Sequence, residues 1–131
     1  MRIAPMIALF ATLAACESTA SDPVGGTVDL DREWRLTQLN GAPFTASATL
    51  TFSEGNIGGS APCNGYGGDL NSTYPQFDAG PIISTKIACA ELDAENAYFQ
   101  ALEAASAMNV QGDTLTLSTA AGPVLVFSAV D

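Results

Sequence analysis

The chain has 131 residues, a length that suits one domain plus a targeting segment. Its 14 acidic and 4 basic side chains give a net charge of −10, and 47% of its residues are hydrophobic, so the composition favours an acidic globular domain. This charge disfavours nucleic acid and anionic lipid headgroups as partners, because phosphate is bound by clustered Lys and Arg. The sequence contains no histidine, which excludes Ser-His and Cys-His catalytic pairs and removes the commonest metal ligand.

The N-terminus has the pattern of an exported bacterial lipoprotein. A positively charged start precedes an apolar stretch over 3–15, which has the length of a signal peptide and is too short to span a bilayer. The stretch ends in Leu13-Ala14-Ala15-Cys16, which resembles the bacterial lipobox. This resemblance implies a signal peptide over 1–15 and lipid on Cys16, and two or three acyl chains anchor a protein firmly. The alternative is an ordinary secretory signal with a chance cysteine.

A polar stretch of small residues follows the cysteine. It contains the pair Gly25-Gly26 and has no core-facing period. We therefore expect a flexible tether over 16–30, with a reach of roughly 20 Å, in front of a single domain over 31–131. Glu17 occupies the position at which Asp retains enterobacterial lipoproteins in the inner membrane. We expect a periplasm-facing location in the cell envelope, with the outer membrane favoured.

The domain is dominated by the alternating pattern of short β-strands. Apolar residues alternate with polar ones around 34–36, 50–52 and 115–117, and Gly-containing turns separate such runs. Phe77 and the pair 82–83 mark one or two further strands. The sequence predicts about seven or eight short strands in an antiparallel sheet that is partly curled towards a barrel.

One segment has a helix-forming composition. Residues 91–107 are rich in Ala, Glu and Leu, and acidic residues crowd the first turn, where the helix dipole favours negative charge. Four apolar residues can share one face of this helix: Leu92, Phe99, Leu102 and Ala105. The predicted fold class is therefore α+β, with the helix covering a face or an opening of the sheet.

Three clusters of residues resemble the META domain family, which includes HslJ-like heat-shock proteins. The clusters are Trp34-x-Leu36-x-x-Leu39-Asn40-Gly41, then Cys63-Asn64-Gly65-Tyr66-Gly67-Gly68 with Thr85-x-x-Ala88-Cys89, then the helix with Leu115-x-Leu117 and Leu125-x-Phe127. The resemblance covers about residues 31–128. It implies a small antiparallel β fold with one helix and a loose link to envelope stress, and it implies little about chemistry.

Cys63 and Cys89 remain as a pair once Cys16 carries lipid. A disulfide is chemically natural for such a pair in an oxidising compartment, and the alternative is two buried thiols that pack as small apolar groups. Two cysteines without histidine make a poor zinc site, so we expect no metal.

The polar residues of the motifs have two interpretations. Asn64, Tyr66 and Thr85 could face a ligand, or they could satisfy backbone groups at turns, which is the interpretation we favour for them and for Gly68. Trp34 is expected in the core. These family-motif residues are therefore predicted to be structural.

The sequence favours binding over catalysis. It lacks a recognisable nucleophile–base pair, so we expect no enzyme and no cofactor. A groove beside the helix could hold an apolar ligand or an envelope protein, with Phe99 and Leu102 as candidate wall residues. The alternatives are a structural or stress-protective lipoprotein without a pocket, and an enzyme of unrecognised type. The sequence predicts no oligomeric state.

Overall fold

The computed structural model describes residues 28–130. The expected signal peptide, Cys16 and the tether as far as residue 27 lie outside this range. Ten elements follow one another along the described chain. They are β1 (Glu33–Leu39), β2 (Ala42–Pro43), β3 (Thr49–Ser53), β4 (Asn56–Ser60), β5 (Gly65–Asp69), β6 (Ile83–Ser84), α1 (Leu92–Ala104), β7 (Ala107–Gln111), β8 (Thr114–Thr119) and β9 (Gly122–Val130).

The strands form one antiparallel sheet with the order β6-β5-β4-β3-β1-β9-β8-β7, and β2 pairs with β1. The α+β class with one helix is confirmed. The sheet has nine strands in the described range, against the seven or eight expected, because β2 and β6 are only two residues long. The ladder of pairings ends at β6 and at β7, so the sheet is not closed into a barrel.

The strands bury one face through the alternation of their side chains. In β1, Trp34 and Leu36 are buried whereas Glu33 and Arg35 are exposed, as expected when successive side chains point to opposite faces. The other strands contribute their buried residues to the same core, of which the largest fully buried are Leu50, Leu115, Leu117, Leu125 and Phe127. Each such side chain contributes about 1.5–3 kcal/mol of burial free energy.

The helix is shorter than the sequence predicts, and its buried face is rotated. It ends at Ala104, because Ala105 adopts an extended conformation and the Ser106 N–H then donates to the carbonyl of Ser118. Sheet pairing therefore overrides the helix propensity of the alanines over 105–107. The buried residues of the helix are Glu95, Tyr98, Ala101 and Leu102. Among the described residues, no helix has the length and apolar character needed to cross a membrane.

Two close approaches of the backbone position the strands around the helix. A Cβ on Gly59 would collide with the backbone carbonyl of Thr49, and one on Gly68 would lie 3.3 Å from both the Ile82 side chain and the Pro81 carbonyl. Glycine at these positions lets β4 lie against β3, and lets the chain that leads into β6 lie against β5. The segment after β6 is thereby brought close to the first turns of α1.

Candidate functional site

A buried carboxylate organises the region between α1 and the β4–β5 connection. Glu95 lies on the inner face of α1 and is 2% exposed. Its Oε1 accepts the backbone N–H groups of Cys63 and Asn64, both at 2.9 Å, and its Oε2 accepts the Asn64 side-chain amide at 2.7 Å. These hydrogen bonds offset the cost of burying the carboxylate and join the helix to the turn between two strands.

Asn64 uses its whole amide group within the protein. Its Nδ2 donates to Glu95 and to the carbonyl of Ile87 at 2.9 Å. Its Oδ1 accepts the Thr85 hydroxyl at 2.8 Å and the Ile87 backbone N–H at 2.7 Å. An amide can donate two hydrogen bonds and accept two, so the side chain is saturated. We refer to Asn64, Thr85 and Glu95 together as the amide clamp, and its effect is to hold the backbone of Ile87 in place.

A disulfide reinforces the clamp. Cys63 and Cys89 are bonded with their Cα atoms 5.6 Å apart. This confirms the disulfide expected from the sequence and contradicts the alternative of two free buried thiols. Cys63 directly precedes the clamp residue Asn64, and Cys89 ends the irregular segment that the clamp holds. The 84–89 segment is therefore fixed at Thr85, at Ile87 and at Cys89, although only its first residue belongs to a strand.

A groove lies between this segment and α1. Its volume is about 250 Å³, and its lining residues come from the segment, the clamp and the first two turns of α1. They are Asn64, Ser84, Thr85, Lys86, Ile87, Ala88, Leu92, Glu95, Asn96 and Phe99. Phe99 lines the groove. Leu102 does not, because it is fully buried in the core.

Two large apolar side chains stand out beside the groove. Ile83 is 74% exposed and Ile87 is 64% exposed, and they are the exposed large hydrophobic residues of the described chain. Single exposed apolar residues are ordinary, but Ile87 lies on the fixed 84–89 segment and lines the groove, and Ile83 precedes that segment in β6, so both add apolar surface near this edge of the sheet. In the described range, no group of three His, Cys, Asp or Glu side chains could hold a metal ion.

A pair of buried tyrosines packs against the groove residue Phe99. The Tyr66 hydroxyl donates to the carbonyl of Thr49 at 2.6 Å, and the Tyr98 hydroxyl lies 2.6 Å from that of Tyr66. The Tyr98 hydroxyl lies farther from that carbonyl, at 3.4 Å, so the shorter contact favours Tyr66 as the donor to Thr49 and Tyr98 as the donor to Tyr66. Burial raises the pKa of both hydroxyls above the ordinary value of 10.0, and for Tyr98 the neighbouring Tyr66 raises it further. Both side chains are therefore neutral at physiological pH.

Sequence reasoning missed two residues that organise this region. The composition of the helix presents Glu95 only as one of several acidic residues near its start, and the predicted apolar face does not include Tyr98. Their spacing carries the signal, because positions 95, 98 and 102 share one face of a helix. A polar residue at the first of these positions then requires a buried partner.

Comparison with solved structures gives the same fold. An NMR structure of a protein from Burkholderia xenovorans is 25% identical over 76% of this chain and 82% of its own, with a TM-score of 0.62. A second NMR structure is 24% identical over 76% of this chain and 89% of its own, with a TM-score of 0.60. A crystal structure of a duf4847 family protein from Bacteroides vulgatus shares 13% identity over 78% of this chain and 94% of its own, with a TM-score of 0.61.

The sequence comparisons settle the family. Among proteins with curated descriptions, none matches this chain at a significant level. The family model of the META domain matches residues 27–131, which include every strand and the helix of the described fold. The chain belongs to the META domain family.

Proposed function

We propose that this protein is a lipid-anchored module of the bacterial cell envelope that binds an apolar group without catalysing a reaction. The anchor is lipid on Cys16, and the binding surface is Ile83 and Ile87 with the groove beside them. The observation that carries the binding function is the exposure of Ile87 on a segment whose backbone is held by the amide clamp and the disulfide, together with the exposure of Ile83 in β6 just before it.

The anchor is supported by the sequence alone. The apolar stretch over 3–15 and the lipobox-like tetrapeptide that ends at Cys16 are placed as in exported lipoproteins. The first described strand begins at Glu33, so 16 residues separate it from the cysteine. A flexible chain of that length reaches roughly 20–25 Å, which would hold the domain close to the membrane surface.

The absence of catalysis is supported by the way the clamp uses its polar groups. The Glu95 carboxylate accepts three N–H groups of the protein, and the Asn64 amide is saturated. A general base must reach the proton of a bound substrate, and a carboxylate surrounded by protein donors is committed to them. The apolar lining residues Leu92 and Phe99 suit contact with an apolar group instead.

Binding of a neutral apolar dye tests the proposal. The fragment 28–131 suits this test, because every residue of its core cluster lies within it. We expect Nile red to bind with micromolar-range affinity, about −8 kcal/mol, and Ile87→Ser to weaken binding about tenfold, which corresponds to about 1.4 kcal/mol. Val126→Ser is the matched control, since Val126 is a partly exposed residue on β9, which is separated from β6 by four strands of the sheet.

Two results would contradict the proposal. If the dye does not bind, the chain acts as a structural or protective lipoprotein. If Ile87→Ser and Val126→Ser weaken binding equally, the groove is not the site. Unfolding midpoints of both variants must be measured beside the affinities, so that a loss of folded protein is not taken for a loss of contact.

A further inference from the structure

The size of the groove bears on what can fill it. Ligand pockets for small molecules usually span about 300–1,000 Å³, and this groove is smaller, at about 250 Å³. It therefore suits a single apolar group, such as part of a dye or one or two side chains of a larger partner. The protruding Ile83 and Ile87 extend the apolar surface outside the groove, as expected for contact with a partner that lies across it.

The surface is ordered before any partner arrives. The Asn64 side chain holds both the N–H and the carbonyl of Ile87, and the disulfide fixes Cys89 two residues later. Ordering a loop on binding costs free energy, and a surface that is already fixed avoids that cost. The clamp therefore presents Ile87 to solvent in one position instead of burying it.

The edge of β6 gives the surface a second property. The Thr85 N–H donates to the Gly65 carbonyl at 3.3 Å, which makes Tyr66 and Ser84 a non-hydrogen-bonded pair of the ladder. In such a pair the backbone N–H and carbonyl point away from the partner strand, so those of Ser84 point away from β5. Within the described chain no strand pairs with the other side of β6. A polypeptide backbone can use these groups, and a lipid chain cannot.

The acidic residues near the groove bear on which kind of polypeptide can bind there. Glu91 and Asp93 flank the groove residue Leu92, and the Glu103 carboxylate accepts the N–H of Ile82 next to Ile83. One lysine, Lys86, lines the groove. The whole chain carries a net charge of −10, so a second copy of the protein and an anionic bilayer are both repelled. Charge complementarity favours a cationic partner.

We propose that the groove receives a cationic polypeptide segment, which inserts an apolar side chain between Ile87 and α1 while its basic side chains face Glu91 and Asp93. This inference rests on the proposed function and adds the class of the partner. The segment lies beside Ser84 in an extended conformation, where alternate side chains face the groove and the solvent.

A defined peptide tests the inference. The probe is a coumarin-labelled heptapeptide of alternating lysine and valine, and the protein is the lipidated chain that begins at Cys16, in zwitterionic nanodiscs, with empty nanodiscs subtracted. Fluorescence anisotropy gives the affinity. We expect binding in the micromolar range, a loss of about tenfold with Ile87→Ser, and weaker binding at 0.5 M salt, since rim charges are screened within about 4–5 Å there. Val126→Ser is again the control for substitution.

Two comparison peptides and two double variants separate charge from apolar contact. Replacing the valines of the probe by serine, or its lysines by glutamate, should each abolish measurable binding. Glu91→Gln with Asp93→Asn should weaken binding about threefold to tenfold. The control variant, Asp29→Asn with Glu54→Gln, removes the same amount of charge at and beside the β3–β4 turn, which lies at the opposite end of the hairpin from the clamp. It should weaken peptide binding less than twofold, because salt screens charges at that distance from the groove.

The outcomes distinguish this inference from the proposed function. If Nile red binds in the groove and the lysine–valine peptide does not, the cationic partner is wrong and apolar binding remains. If neither binds, the proposed function fails too. If the peptide binds equally to both double variants, or if the serine peptide binds as well as the valine peptide, the association is a general effect of net charge and the inference is overturned.

Discussion

Replacing Glu95 by glutamine tests whether the carboxylate holds the clamp together. The substitution keeps the size of the side chain and changes one oxygen into an amide. The carbonyl oxygen can still accept the backbone N–H groups of Cys63 and Asn64, which Oε1 accepts at 2.9 Å. The new amide then faces the Nδ2 group of Asn64, where Oε2 now accepts at 2.7 Å. Two donors therefore meet inside a buried site.

The expected loss of stability follows from the contacts. Hydrogen bonds to a charged group contribute about 1.5–3 kcal/mol and neutral ones about 0.5–1.5 kcal/mol, so the two backbone bonds lose about 1 kcal/mol each. A buried donor left without an acceptor costs a further 1–3 kcal/mol, roughly. Asn64 cannot relieve the conflict by turning over its amide, because its Oδ1 already accepts from Thr85 and Ile87. We expect Glu95→Gln to lower the free energy of unfolding by about 3–5 kcal/mol.

Guanidinium denaturation of the full-length chain measures this loss. The chain has one tryptophan, and Trp34 is fully buried, so its fluorescence reports unfolding. Glu103→Gln is the matched control, because Glu103 lies on the same helix and accepts one backbone N–H, that of Ile82, at an exposed position. We expect the control to change stability by less than about 1 kcal/mol. Equal losses in the two variants would show that the buried charge of Glu95 does not hold the clamp.

Three further predictions concern the anchor, the disulfide and the tyrosine pair. Cys16→Ser should move the exported protein out of the detergent phase in phase partitioning, because no other thiol is available there for acylation; equal partitioning would contradict the anchor. Reduction of the Cys63–Cys89 bond, with a sequence separation of 26, should lower the unfolding free energy by about 3 kcal/mol, and two titratable thiols in protein from the oxidising periplasm would refute this. Burial raises the pKa of Tyr66 and Tyr98 above 10.0, so as the pH rises the unfolded chain releases these protons before the folded chain does. The free energy of unfolding should therefore not depend on these groups below about pH 10 and should fall above it. A Tyr98→Phe variant whose unfolding free energy falls with alkaline pH as steeply as that of the wild type would contradict this.

The sequence predicts the fold well where one face of an element is buried. The alternation around Trp34 and Leu36 identifies β1, and the Ala-rich run identifies the helix, because burial and propensity act locally there. Prediction from the sequence fails where contacts between residues distant in the chain determine the local structure. Phe77 is buried, yet it lies in the connection between β5 and β6, where its N–H donates to the carbonyl of Ser106 instead of joining a regular strand. Such a contact depends on residues distant in sequence.

The sequence likewise predicts some features of the candidate site and not others. The disulfide is expected for a pair of cysteines in a chain whose N-terminus has the pattern of an exported protein, and Phe99 lines the groove because it lies on the helix next to it. The burial of Leu102 and the role of Glu95 depend on how far the helix is rotated about its axis. That rotation is set by Tyr98, whose ring packs against those of Tyr66 and Phe127. The apolar residues of the helix leave a gap between Leu92 and Phe99, so their pattern in the sequence does not determine the rotation of the helix.

The motif residues and the proposed contact residues have different physical roles. Asn64 satisfies its amide within the protein, so a partner gains nothing by approaching it directly. What it provides is the fixed position of Ile87, whose side chain remains exposed. Loss of Asn64 would therefore change stability and binding together, whereas loss of the Ile87 side chain should change binding alone. Under the proposed binding mode, partner specificity would reside in the neighbours of the motif, such as Ile83 and Lys86, whose side chains take no part in the hydrogen bonds of the clamp.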